Sequence, residues 1–319
     1  MSRYVRKSLI LAKTEVTYGV DPTPTGADNA ISVSNISVNP LNASNVNRDL
    51  VLAYFGASEQ LVGTAYVEIS FDVELQSSGT AGTAPGWGPL LKACAFAETV
   101  TAGNRVEYLP KSASLDSVYI YYYDDGVLHK AAGCMGSVDV KLPLGAKPIL
   151  SFKFIGKYDG ISAVVSPTPT YSKFKPPAVV TDANTNDLTF GCAYTTGTLG
   201  TGTAYPSRGI EVMSGNDVKF TPLVGGDSVD IVQREMTGKI ELELTAAQEV
   251  SLMSNVIANT TQSVGIQHGT AAGSVVILHA PTVQLLNPTK QDVDGRRMIG
   301  YDLRLVPSTG NDELRICVR

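Results

Sequence analysis

With 319 residues, 43% of them hydrophobic, the chain is long enough for one large or two ordinary domains with real apolar cores. Its formal net charge of −5 and lack of any long basic run exclude tight phosphate binding of the repressor or histone kind. Only 17% of residues are charged, against roughly 25% in most globular proteins, and with 30 Gly and 17 Pro this favours a turn-rich β protein that hides surface in an assembly.

The N-terminal run MSRYVRKSLILAKTEVTYG is basic, but its apolar part, residues 9–12, is too short for a signal-peptide core and no small-residue cleavage site follows. No stretch approaches the ~18 apolar residues of a membrane span, so no membrane partner is expected, and folding in a cytosol is the default. Cys94, Cys134, Cys192 and Cys317 lie far apart without a CxxC pair or clustered histidines. Four reduced, inert thiols are expected, with no metal and no cofactor.

In chain order, residues 1–29 read as an N-terminal arm: a short apolar strand at 8–12, then YGVDPTPTGADN, where Pro22 and Pro24 exclude regular structure. In AISVSNISVNPL the period-2 pairs Ile31/Val33 and Ile36/Val38 suggest a strand or hairpin ending at Pro40. Residues 42–63 look polar and irregular, yet RDLVLAYFGASEQLVG carries the apolar cluster Leu50, Val51, Leu52, Tyr54 and Phe55. A long loop with that much apolar surface is expected to lie against a partner.

Residues 65–76, AYVEISFDVELQ, carry the clearest pattern. Val67, Ile69, Phe71, Val73 and Leu75 alternate with Tyr66, Glu68, Ser70, Asp72 and Glu74, the mark of a strand with one dry and one wet face. A Gly/Thr linker leads to WGPLLKACAFA, which reads as a helix over 87–97 with Pro89 in its first turn. In SVYIYYYDDGVLHKAAG, β-branched and aromatic residues flank Asp125-Gly126, the signal of a hairpin with a type I′ turn. A second hairpin is expected from 137–142 and 149–158. The Pro-rich run 162–177 reads as an extended linker and places a domain boundary near it, while 188–206, low in charge and dominated by Gly and Thr, shows no period that assigns it.

The second half replays the first. KIELELT alternates Ile240, Leu242 and Leu244 with Lys239, Glu241 and Glu243, echoing the first acidic strand, and AAQEVSLMSNVIA supplies a helix over 246–258. Aligning Pro222 with Pro40, Glu243 with Glu74, Ile277 with Ile120 and Tyr301 with Phe152 keeps the order while the offset shrinks along the chain. A tandem duplication of one strand, helix and hairpin unit accounts for that pattern.

Enzymatic signals are thin. His129, His268 and His279 stand alone, and Asp124-Asp125-Gly126 lacks the ligand spacing of a calcium loop. Tyr119, Tyr121 and Tyr123 would line one strand face, as a sugar-stacking platform or, more commonly, as cross-strand or interface packing. The carboxylates Glu68, Asp72, Glu74, Glu241 and Glu243 are either an ordinary solvated face or the wet lining of a barrel closed by several copies, where they would repel a passing polyanion. Lys141, Lys153, Lys157 and Arg304 lie on neighbouring strands; if they also point inward, the lining is mixed.

KTEVTYGVDPTPTGADNAISVSNISVNPL, RDLVLAYFGASEQLVG and SSGTAGTAPGWGPLLKACAFAET resemble the major tail tube proteins of siphophages, particularly those of phages and prophages of Gram-negative bacteria. The resemblance implies a mainly β fold of two tandem tail-tube-like sandwich or barrel units, each with one flanking helix: an arm at 1–29, units at 30–165 and 188–319, and a linker at 166–187. It implies a structural virion protein and no enzyme, assembled in the host cytoplasm as homotrimeric, pseudo-hexameric rings that stack into a conduit for double-stranded DNA, with tape-measure and tail terminator proteins as further partners. The five carboxylates would then face the bore, and Leu50, Leu52, Tyr54 and Phe55 would contact the next ring or a neighbouring chain. The competing expectation is a glycan- or receptor-binding β-sandwich of a tail tip or fimbria.

Overall fold

Alternation builds the frame. In the computed structural model, which describes residues 3–319, Val67, Ile69, Phe71 and Val73 are each at most 3% exposed, while Glu68, Ser70, Asp72 and Glu74 point away from the core. The first two residues of the expected arm lie outside the described residues.

In chain order the elements are β1 (Ser8–Thr14), α1 (Gly26–Asn29), β2 (Ala30–Ile31), β3 (Ser34–Asn47), β4 (Gln60–Glu74), α2 (Gly88–Lys92), β5 (Phe96–Thr101), β6 (Arg105–Pro110), β7 (Val118–Asp124), β8 (Val127–Pro143) and β9 (Ile149–Ala163). There follow β10 (Leu188–Phe190), β11 (Tyr194–Thr195), β12 (Thr198–Leu199), β13 (Thr203–Tyr205), β14 (Ser207–Met213), β15 (Asn216–Thr221), β16 (Ser228–Arg234), β17 (Thr237–Glu243), α3 (Ala246–Ile257), β18 (Thr261–His268), β19 (Val276–Val293), β20 (Arg296–Leu305) and β21 (Arg315–Val318). The fold is mainly β and its paired strands are antiparallel. Among the described residues, only the pairs β11–β12 and β15–β16 stand outside one hydrogen-bonded network.

One pairing path occurs twice. In the first half it runs β2-β1-β7-β8-β9-β4-β3, and in the second β13-β10-β18-β19-β20-β17-β14. The long central strands bend at bulges, so that each path folds into two layers with apolar side chains between them. The paths meet twice. β14 pairs with β8, which makes one layer of eight strands, β3-β4-β9-β8-β14-β17-β20-β19, and β21 joins β19 to β6 in the other layer. The apolar core accordingly does not divide at residues 166–187: one cluster holds Ile10, Phe71 and Trp87 together with Leu242, Tyr301 and Ile316.

Several expectations are corrected by these contacts. The strand expected at 8–12 forms as β1, wedged between β2 and β7 with Ile10 and Leu11 fully buried. The strand at Ser34 does not end at Pro40, which sits in a bulge between Asn39 and Asn42 where its missing N–H costs no ladder bond. α2 stops at Lys92 because Ala95 turns left-handed (φ 63) and Phe96 begins β5. The second strand of the Asp125-Gly126 hairpin and the strand expected at 137–142 are one, β8, and residues 188–206 contribute β10 and β13 to the layer opposite the eight-stranded one. α3 matches its expected span, with a capping box from Thr245 and Gln248. Asp125 and Gly126 both take positive φ, as a type I′ turn requires.

The four aligned positions fare unequally. Glu74 pairs with Ile149 and Glu243 with Met298, so the alignments of Glu243 with Glu74 and of Tyr301 with Phe152 keep mutual register. Ile277, however, lies in β19, the place β8 takes in the first path, and the tyrosine strand β7 corresponds in pairing to β18. Likewise β14 rather than β15 takes the place of the first half of β3.

An ionic cluster fastens the second junction. Glu107 on β6, 6% exposed, accepts from Arg105 Nε (3.0 Å), Arg315 Nη1 (2.7 Å) and Tyr194 Oη (2.6 Å). Burial alone would raise its pKa, but these donors outweigh it and hold the carboxyl below its usual range. Its stabilisation is therefore complete above the ordinary carboxylate range and is lost as pH falls through the depressed value. Glu107→Ala removes the acceptor shared by Arg105, Arg315 and Tyr194 and should cost about 2 kcal/mol in urea unfolding at pH 7. The deficit should shrink in melts at progressively lower pH.

Candidate functional site

The outer face of the eight-stranded layer carries every carboxylate singled out from the sequence. Glu68, Asp72 and Glu74 alternate with the buried residues of β4, and Glu241 and Glu243 with the buried Ile240 and Leu242 of β17. Directly opposed residues of antiparallel strands share a face, so the register extends this surface strand by strand. One row reads Glu74, Ile149, Lys141, Glu211, Lys239, Asp302. The next reads Asp72, Ser151, Asp139, Met213, Thr237, Arg304, and beyond it Ser70 opposes Lys153 and Tyr66 opposes Lys157.

Lys141, Lys153, Lys157 and Arg304 thus share the face with the acids, and the surface is mixed in sign rather than acidic. Pairing follows from the interleaving. Lys141 lies 3.3 Å from Glu211, Lys147 2.8 Å from Glu74, Arg208 3.5 Å from Glu241 and Arg296 3.3 Å from Glu243, while Asn35 Nδ2 donates to Asp72 at 2.7 Å. These side chains are all substantially exposed, so each ion pair adds at most about 1 kcal/mol and weakens with salt. Glu211 and Asp139 join the surface as well, and the alternation of Ile210 and Val212 in SRGIEVM is the signal that places Glu211.

Where the two halves meet, a groove of about 410 Å³ is lined by Lys141, Ile149, Arg208, Glu211, Lys239 and Glu241. Gly209 makes this approach possible. Its φ is 104°, and a Cβ there would sit 1.9 Å from the Leu142 carbonyl oxygen. It falls in a bulge of β14 between Ser207 and Ile210, and β3 has the matching bulge between Ser34 and Ser37, where Asn35 takes a φ of 52°. Asn is among the few non-glycine residues that tolerate that conformation.

The β15–β16 hairpin, part of the second half, lies over β8 and β9 of the first. Phe220 stacks 5.3 Å from Tyr66, Asn216 Nδ2 donates to the carbonyls of Cys94 and Gly136 (both 2.9 Å), and fully buried Val229 donates its N–H to Tyr18 Oη at 2.6 Å. Buried Glu15 shapes the Tyr18 turn by accepting from Gly19 N and Gly133 N. The other hairpin, β3–β4, projects free in the single chain. At its tip Leu50 is 47% and Leu52 40% exposed, Tyr54 is mostly exposed and Phe55 fully so.

The remaining candidates are absorbed by packing. Tyr119, Tyr121 and Tyr123 meet edge to face and lie at most 7% exposed under the N-terminal segment, where Tyr121 Oη donates to Asp21 at 2.5 Å, so they present no open stacking platform. His268 bonds Thr185 and His279 approaches the Cys192 carbonyl; burial lowers the pKa of both, and of His129. Asp125 accepts from Tyr4 N, and Asp124 pairs with Arg3. The four cysteines are buried and unpaired, and among the described residues no group of three or more His, Cys, Asp or Glu side chains is placed to hold a metal ion.

Fold and surface together define a mainly β protein whose prominent feature is an extended charged sheet face. The chain belongs to the phage tail tube protein family: the family's model matches residues 6–305, nearly the whole length. A comparison with curated proteins returned no match. Family membership makes the chain a structural component of the virion tail.

Asp139, midway across this face, offers a pH test. Burial raises its pKa, Lys141 and Lys153 partly offset that, and Glu211 and Asp72 add to it. The native state therefore holds the proton more tightly than the unfolded chain, and stability falls as pH rises from the ordinary carboxylate range through the raised value. Asp139→Asn should melt at a higher temperature than the parent at pH 7 and match it at pH 3, as followed by circular dichroism.

Proposed function

We propose that the chain is a siphophage major tail tube protein, three copies of which close a pseudo-hexameric ring, with stacked rings forming the conduit through which double-stranded DNA leaves. The observation that carries this reading is the recurring pairing path joined edge to edge by β8 and β14. A junction that extends one sheet across both paths inside a chain leaves β3 open at one end and the distal half of β19 open at the other. Copies can continue the same sheet until it closes, which removes both edges.

On this reading residues 30–165 and 188–319 are tandem copies of one ancestral unit, and the continuous core fixes the angle between them so that three chains supply six units. The mixed-charge face lines the bore. Carboxylates keep phosphates from settling, and the interleaved cations soften the repulsion, so the duplex moves without a strong binding step. Subunits assemble in the host cytoplasm, and the tape-measure and tail terminator proteins meet the bore and the tube end.

Negative-stain microscopy of concentrated protein should show rings or tubes with a central hole; a monomeric solution under every assembly condition would defeat the proposal. In phage, Glu68→Lys, Asp72→Lys and Glu74→Lys together should leave the subunit folded yet slow DNA exit, seen as delayed genome release. Unchanged release would put these residues on the outside of the tube.

A further inference from the structure

The junction inside the chain is a template for a contact between chains, and using it so rests on the ring reading above. We infer that the β3–β4 hairpin of one copy seats on β19 and β20 of a second copy, with β3 pairing antiparallel to the distal half of β19 so that Ser37 opposes Gln291.

The register follows from the pairings. At the internal junction Glu211 of β14 opposes Lys141 of β8. Glu211 also opposes Lys239 of β17, which holds the place of Ser70 in β4, and Ser70 opposes Ser37. Lys141 opposes Ile149, which holds the place of Met298 in β20, and Met298 opposes Gln291. Ser37 and Gln291 therefore occupy the positions of Glu211 and Lys141, and the matching bulges at Asn35 and Gly209 give both strands the same bend before the contact.

Burial separates the used junction from the unused one. Ile210 and Val212 on β14 are 7% and 2% exposed, whereas their counterparts Ile36 and Val38 on β3 are only half-buried. Val229 on the seated hairpin is 0% exposed, while its counterpart Leu61 is 56% exposed, as is Val46, the counterpart of Phe220. Asn42 stands where Asn216 tethers the seated hairpin to β8. The free hairpin thus repeats the docking side of the seated one and exposes apolar groups that a second copy would cover.

Directly opposed residues of antiparallel strands have Cα atoms about 4.5–5.5 Å apart, within the range a disulfide spans. Ser37→Cys with Gln291→Cys, in a protein whose native thiols are buried, should give covalent dimers and circular trimers on mild oxidation of assembled particles. Because pairing concentrates the thiols, the yield should be on the order of tenfold above that of the out-of-register pair Ser37→Cys with Leu286→Cys. Tubes in the microscope without preferential Ser37–Gln291 cross-linking overturn the register and leave the tube reading standing. Failure of the unmodified protein to form rings or tubes overturns both. As a second arm, Val46→Glu with Leu61→Glu should keep the parent melting temperature and abolish rings; rings that persist overturn the hairpin seat.

Discussion

The pairing of β8 with β14 is the contact on which the rest of the molecule depends. Each strand would otherwise be an edge with a row of unmet backbone donors and acceptors. Joined, they turn two four-stranded layers into one of eight, with Lys141 set against Glu211 on the outer side and Val140 and Leu142 set against Val212 and Ile210 on the inner side. The approach depends on Gly209, since any Cβ at that point would collide with the Leu142 carbonyl.

Two further contacts keep that sheet from flexing at its seam. The β15–β16 hairpin reaches back over β8 and β9, held by Tyr18, Tyr66 and the Asn216 amide, and the Glu107 cluster ties β6 to β21 in the opposite layer. One fastening lies on each layer, so a hinge between the halves would have to break both. A tail tube protein gains from this, because the angle between the halves sets the curvature of anything built by repeating them.

The charged face owes its character to geometry more than to composition. Taken strand by strand, β4 and β17 are acidic, and nothing in either suggests what lies beside them. Placed next to β8, β9 and β20, the same carboxylates alternate with lysines and an arginine, and several find partners across the strands. Exposed pairs of this kind contribute little stability. Their effect is on the field above the sheet, which becomes a pattern of alternating sign.

The sequence by itself determined which residues of β4 and β17 face the core, where the Asp125-Gly126 turn falls and how far α3 runs, because period-2 alternation, turn chemistry and helix capping are set by residues a few positions apart. The family, too, was legible in runs from the first half. Only the tertiary structure decided that β8 is one bent strand, that residues 188–206 add β10 and β13 to the layer opposite the eight-stranded one, that Ile277 belongs to the counterpart of β8, and that Lys141, Lys153, Lys157 and Arg304 share a face with the acids. Each of these depends on which strand lies alongside which and in what register, and that is settled by contacts between residues far apart in the chain, where no local pattern reaches.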